Sequence, residues 1–410
     1  MSTAPANPTR NSAPPALNPF ALEFFASRDP YPLLAELRAV GPVLWVEQAN
    51  CWAVTGYKAG AELLNQRKLR FLFDLGDAFD EAGASMFMRT FRQLNLVSTK
   101  GEQHTRVKQL FAGLMIPKEI EGLREPVVAA THRLLDEAES VRRLDIVSLG
   151  RRIQFDSISE VLAMPENIRS QGMRWMEQIM EGVRDITYEF NDEATLSTAN
   201  DAVLAVNACF EDLIADRRRQ PRDDMLDRMI RVADRVGATE EELLVNAWGL
   251  YIAGVETTAT ALGWAVWRLY ERPGVLDELR ADPTLLKSFI QEAIRYDVGF
   301  FITGRHVDED MLLGGHLIRA GEKVILFIGA ANHDPEQFPD PDWFNIRRNA
   351  RSISFGNGPH QCVGQLLTRL VMETAVSTIL ERIPTFQLDT LDPERRPAMS
   401  GGIPALWGCW

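Results

Sequence analysis

Residues 355–364 read FGNGPHQCVG, and the chain continues as QLLTRLVMETAVSTILERI to residue 383. One cysteine, Cys362, thus stands between glycine turns at the mouth of a long amphipathic run. A thiol at a helix N-terminus meets the positive end of the helix dipole and unpaired backbone N–H groups, and both favour the thiolate. Cys362 therefore reads as a nucleophile, a redox thiol or a metal ligand, or else as a small residue closing a glycine-rich turn. The decapeptide alone leaves these readings open.

The 410 residues are 46% hydrophobic and 25% charged, the make-up of a globular protein with material for a large core. The longest uncharged apolar stretches, LLVNAWGLYIAGV and VILFIGAAN, fall short of the roughly 18 residues a membrane helix needs, so no membrane association is expected. A net charge of −13 disfavours binding to a phosphate backbone, which argues against a nucleic-acid partner. Residues 1–18, MSTAPANPTRNSAPPALN, are rich in Pro, Ala and Asn without an apolar secretory core, and read as a mobile tail. Residues 19–410 show no repeat, linker or low-complexity break and read as a single domain. The four cysteines, at 51, 209, 362 and 409, form no CxxC pair, so neither a disulfide framework nor a zinc site is expected. A reducing, cytoplasmic setting fits them.

Strand signals gather in GPVLWVEQANCWAVTGY (41–57) and DMLLGGHLIRAGEKVILFIG (310–329), each with alternation or glycine turns. Most of the remainder has helical period, which makes the fold mainly α with small β-sheets. The plainest helix begins at Thr239, where TEEE supplies a capping box from Thr239 to Glu242, and runs to the stop at Pro273-Gly274. At 1.5 Å per residue it spans roughly 45 Å. A helix that long and apolar on most sides has to pass through the core.

Its middle holds AGVETT, residues 253–258. Glu256 is costly to bury without a partner. Thr257 and Thr258 can bond back to a carbonyl one turn earlier and, with Gly254, open the helix locally. Two readings stand: a surface glutamate with two Thr methyls packed inward, or a buried acid beside an alcohol, which is what a proton relay needs. In EAIR, Glu292 and Arg295 share one helix face and can pair.

In this order and spacing, these features resemble the cytochrome P-450 haem-thiolate monooxygenases, over nearly the whole chain from Asn18 onward. FGNGPHQCVG matches the family's haem loop at Phe355, Gly356, Gly358, His360, Cys362 and Gly364. AGVETT matches the oxygen-activating groove of the long central helix, and Glu292 with Arg295 matches the E-x-x-R pair. ANHDPEQFPDPDWFNIRR (331–348) resembles the meander before the loop, so Arg348 would complete a triad with that pair. GEQHTRVKQLF (101–111) resembles the helix whose histidine, here His104, and a base four residues on hold a haem propionate. Lys108 stands where arginine is usual and supplies charge without a bidentate fork. Arg305, in FFITGRH, and His360 would serve the other propionate side.

The resemblance implies the cytochrome P-450 fold, a long central helix over haem b (iron protoporphyrin IX), and Cys362 as the axial iron ligand. The thiolate-held iron would activate dioxygen with two externally supplied electrons and insert one oxygen atom into a small hydrophobic organic substrate, by hydroxylation, demethylation or epoxidation. Glu256 and Thr257 would deliver protons. With no flavin or iron–sulfur signature in the chain, a ferredoxin with its NAD(P)H-dependent reductase is the expected electron donor. It would dock over Cys362, where Lys100, Arg106, Arg347, Arg348, Arg351 and Arg369 offer basic charge. The substrate pocket would be lined by Phe87, Leu94, Val97, Leu250, Val255, Phe300, Phe301, Ile302 and Ile403. These are apolar, so a flat or compact hydrophobic substrate gains affinity from burial. Arg89 or Arg92 would be placed to meet a substrate carboxylate. A peroxide-using or non-oxidative haem-thiolate enzyme, or a haem sensor, is the alternative.

Overall fold

The computed structural model describes residues 11–21, 24, 27, 29–66, 69–71, 93–187, 192–349, 351–394 and 402–410. By contact the chain forms two compact units, which it enters alternately: unit 1 comprises Met1–Phe73, Glu271–Cys362 and Asp392–Pro404, and unit 2 Asp74–Tyr270, Val363–Leu391 and Ala405–Trp410.

Unit 1 begins with α1 (Tyr31–Val40), the hairpin β1 (Val43–Val46) and β2 (Cys51–Val54), α2 (Tyr57–Leu64) and β3 (Arg70–Phe71). The chain then supplies unit 2 with α3 (Gly101–Gln109), α4 (Pro117–Glu121), α5 (Arg124–Ala138), β4 (Arg143–Asp145) and α6 (Ile146–Val161). These are followed by α7 (Glu166–Thr187), α8 (Glu193–Arg219), α9 (Met225–Val236) and α10 (Glu240–Glu271). Unit 1 resumes with α11 (Pro273–Ala281), α12 (Leu286–Tyr296), β5 (Ile302–His306), β6 (Met311–Leu313), β7 (His316–Ile318), β8 (Lys323–Phe327) and α13 (Ile328–Asn332). Back in unit 2 come α14 (Gln365–Arg382), β9 (Gln387–Leu388) and β10 (Trp407–Cys409).

Both stretches expected as β are strands. In unit 1, β1, β2 and β8 join a five-stranded sheet of order β1-β2-β8-β5-β3, with β2 and β8 parallel and the other neighbours antiparallel, while β6 and β7 pair as a separate antiparallel hairpin. Trp45 and Trp52 are cross-strand partners on β1 and β2, with ring centroids 5.6 Å apart. Behind the sheet, Phe24, Phe301 and Phe327 join the aliphatic side chains of β1, β2 and β8 in one core. Part of the expected tail belongs to this sheet. The Ala13 N–H donates to Trp45 O at 2.8 Å, the Trp45 N–H donates to Asn11 O at 2.9 Å, and Ala13 is buried. Backbone pairing here needs no hydrophobic pattern, so composition gave no sign of it.

Unit 2 is helical around α10, 32 residues long and buried along much of its length. Its capping box forms as expected: the Glu242 N–H donates to Thr239 Oγ1 at 3.0 Å, and the Thr239 N–H donates to Glu242 Oε2 at 3.1 Å. Pro273 does more than stop the helix, since it is also the first residue of α11, where a missing N–H costs nothing. On α6, Gly150 faces Ala259 of α10 so closely that a Cβ would lie 3.0 Å from the Ala259 Cα, which brings the two helix backbones together.

Candidate active site

In unit 1 the cysteine loop turns at Gly356 and Gly358, with φ of +72° and +71°. A Cβ on Gly358 would stand 2.5 Å from Asn65 Oδ1 and 2.8 Å from the Leu64 carbonyl oxygen, so glycine is what lets the loop lie against the end of α2. The Gly356 N–H donates to Ile353 O and the Cys362 N–H to Phe355 O, each at 2.8 Å, which closes the turn. Cys362 itself is exposed, three residues ahead of α14. Exposure of the residue on a closed backbone argues against Cys362 as a packed core residue. His360 ends a short 3₁₀ turn, Gly358–His360, in the same loop, and Phe355, Gly364 and His360 are all half-buried.

Arg305, on β5, is buried and donates Nη1 to Thr303 Oγ1 at 2.9 Å and to the Gly304 carbonyl at 2.7 Å. Burial pushes its guanidinium down to about 10. An anionic group beside it would raise it again. Ile302 and Ile403 are buried and Phe300 is half-buried against the sheet core. The ring of Phe301, expected at the pocket, packs on Phe24 and Tyr31 at centroid distances of 6.3 and 6.1 Å, and a Cβ on Gly329 would meet it at 2.4 Å. The ring belongs to the core of unit 1.

The expected triad is formed. Arg295 donates Nε and Nη2 to the two Glu292 oxygens at 2.8 Å each, and Arg348 Nε donates to Glu292 Oε1 at 3.2 Å. Arg295 also donates to the Asn332 and Pro341 carbonyls, and Arg348 to those of Pro339, Asp340 and Trp343. These two guanidinium groups therefore tie the 332–343 meander to α12.

In unit 2, His104 and Lys108 lie one turn apart on α3. Burial, and then the Lys108 charge, pushes His104 down to about 4, and burial also lowers Lys108. A carboxylate placed there would favour both cations, as beside Arg305. On α10, Glu256 is only half-buried, and its two oxygens accept Nε and Nη2 of Arg151, on α6, at 2.9 and 3.2 Å. It is a paired acid. Thr257 Oγ1 donates to the Ala253 carbonyl at 2.9 Å, the back-bond its residue type suggested. Thr258 is buried, its hydroxyl 3.1 Å from that of Thr368 on α14. Val255 is buried, Leu94 and Leu250 are half-buried and Val97 is exposed. Phe87, Arg89 and Arg92 lie outside the described residues.

Three of the expected docking cations are otherwise engaged. Arg106 is bidentate on Glu242, Arg347 pairs with Glu278 at 2.5 Å, and Arg348 serves the Glu292 triad. Neither Arg151 nor Asn246, which takes three hydrogen bonds from and to its surroundings in unit 2, figured in the sequence reading. Arg151 sits in no motif, but a lone amide within LLVNAWGLY was a usable signal.

An accessible thiol on a closed loop suits an iron ligand, and buried bases whose charge burial disfavours suit the carboxylates of a porphyrin. The profile of the cytochrome P450 family matches residues 40–401. A "Biotin biosynthesis cytochrome P450" from Bacillus subtilis (strain 168) is 29% identical over 375 residues, 90% of this chain and 93% of that protein. "Cytochrome P450 monooxygenase PikC" of Streptomyces venezuelae is 33% identical over 389 residues, 92% of this chain and 89% of its own length. The crystal structure of P450BioI in complex with hexadec-9Z-enoic acid ligated acyl carrier protein superposes with a TM-score of 0.84 at 28% identity, covering 95% of this chain and 99% of that one. The chain belongs to the cytochrome P450 family. It is a haem-dependent oxidoreductase, a monooxygenase that uses an organic substrate, dioxygen and redox partners. Among the described residues no helix is long and apolar enough to cross a membrane.

Proposed function

We propose that this protein is a cytoplasmic, ferredoxin-dependent monooxygenase of small hydrophobic substrates, with Cys362 as the iron ligand and Glu256 and Thr257 as the proton-delivering pair. The observation that carries the reading is Cys362, exposed at the end of a loop whose backbone is closed by its own N–H on Phe355 O. When bound, haem held by that thiolate supplies the activation of dioxygen. The rest falls to the chain. The loop's amide bond fixes the sulfur's backbone, and Phe355 shields it. Lys108 and His104, and separately Arg305 and His360, hold the propionates. Thr257, its own proton committed to Ala253 O, keeps lone pairs to accept from a water. Glu256, partly exposed, links that alcohol to solvent.

Leu94, Val97, Leu250, Val255, Phe300, Ile302 and Ile403 give the pocket an apolar lining, so affinity comes mainly from burial of apolar surface. The positive charge of Lys100, Arg351 and Arg369 attracts an acidic ferredoxin. The test is turnover with a ferredoxin, its reductase and NAD(P)H. Wild-type protein yields oxygenated product, whereas Thr257→Ala binds substrate and consumes NAD(P)H but releases peroxide and water. Unchanged coupling in Thr257→Ala removes the hydroxyl from proton delivery; product formed without donor proteins removes the ferredoxin.

A further inference from the structure

The first two turns of α10 carry a set of polar side chains that the expected chemistry does not use. The Glu242 carboxylate, already closing the cap on Thr239, accepts Nε and Nη2 of Arg106 at 3.1 and 2.6 Å and Nε2 of Gln103 at 3.3 Å, both from α3. One turn on, Asn246 is 1% exposed. Its Oδ1 accepts the Leu96 N–H at 2.8 Å, and its Nδ2 donates to the Leu94 carbonyl at 2.9 Å and to the Glu242 carbonyl at 2.7 Å. The backbone at 94 and 96 is thus satisfied by one side chain of another element. A primary amide of this length offers a donor and an acceptor from one carbon, which no other side chain of its size does. Leucine fills the same volume but would leave a buried N–H and C=O unpaired. Two local bonds stiffen what the amide holds: the Val97 N–H donates to Asn95 Oδ1 at 3.0 Å, and Thr99 Oγ1 donates to Leu96 O at 3.2 Å.

We propose that Asn246 is a specificity-determining positioning residue, fixing the Leu94–Leu96 backbone to α10 and so setting one edge of the substrate pocket. The inference rests on the reading of Leu94 and Val97 as pocket residues. Leu94 is itself one of the two carbonyl or amide partners of the clamp, and Val97 follows directly after it. Glu256 lies ten residues further along the same helix, about 15 Å away, so the edge can move without disturbing the proton-delivering pair.

The experiment compares wild-type holoenzyme with Asn246→Leu and Asn246→Ala by amide hydrogen exchange and by binding of imidazole and 4-phenylimidazole. In wild type the Leu96 amide is strongly protected, and in both variants it exchanges roughly tenfold faster or more. Imidazole, too small to reach the edge, binds each variant within roughly twofold of wild type, while 4-phenylimidazole shifts by about fivefold or more. Rapid exchange of Leu96 in wild type overturns the clamp. Faster exchange with both azoles unchanged, or both shifted alike, overturns the role in specificity. If Asn246→Leu loads no haem, Asn246→Ala and the wild-type exchange decide. Failure of the haem-thiolate reading itself would show separately, in the carbon monoxide spectrum of the wild-type protein.

Discussion

Arg151 of α6 holds both oxygens of Glu256 on α10, Nε at 2.9 Å and Nη2 at 3.2 Å. A bidentate pair fixes a carboxylate's direction as well as its charge. Both side chains are about a quarter exposed, at 26% and 22%, so the pair contributes little to stability and its effect belongs to orientation. Arg151→Met is expected to leave the substrate-induced spin shift and its midpoint unchanged and to lower the yield of product per NAD(P)H by roughly threefold to tenfold. Coupling equal to wild type would show that the orientation of Glu256 is immaterial.

Glu292 accepts from Arg295, from Arg348 and from the Asn345 N–H, and is 1% exposed. Removing it leaves two guanidinium groups without their buried counter-charge, at a cost of roughly 3–5 kcal/mol. Glu292→Ala should therefore give little haem-loaded protein at ordinary growth temperature. Normal yield and normal haem content would contradict the structural role.

Much of this arrangement was legible in the sequence because its signals are local. The Thr239–Glu242 box, the i, i+3 spacing of Glu292 and Arg295 and the glycines flanking Cys362 each specify a geometry within a few residues. The parts that were not legible depend on partners far along the chain. Glu256 meets Arg151 across 105 residues and Asn246 meets Leu94 across 152, and neither pairing leaves a periodic trace. The 11–13 segment joins the sheet chiefly by backbone bonds, which composition cannot report. The core packing of Phe301 was not legible for another reason. It stands just before a five-residue strand whose burial is high on both faces, and alternation loses its meaning there.

Acid should weaken the fold through a buried histidine. His333 packs its ring 4.0 Å from that of Tyr31, and burial, aided by the Arg295 charge, pushes it down to about 3. The unfolded chain takes up a proton there near pH 6.5, whereas the folded chain refuses it. Its contribution is therefore whole above about pH 6.5 and falls, as pH drops toward the folded value, by about 1.4 kcal/mol per unit. Urea midpoints taken between about pH 6.5 and 4.5 should fall steeply, and less so in His333→Phe. A wild-type midpoint independent of pH over that range would refute the argument.

The central claim is that Cys362 is the thiolate ligand of the haem iron, and the carbon monoxide difference spectrum of the reduced protein tests it most directly. Wild-type protein should show the band at the wavelength that gives the family its name. Cys362→Ala should lose that band or the haem altogether. A wild-type spectrum without the band, or an identical band in Cys362→Ala, would contradict the account.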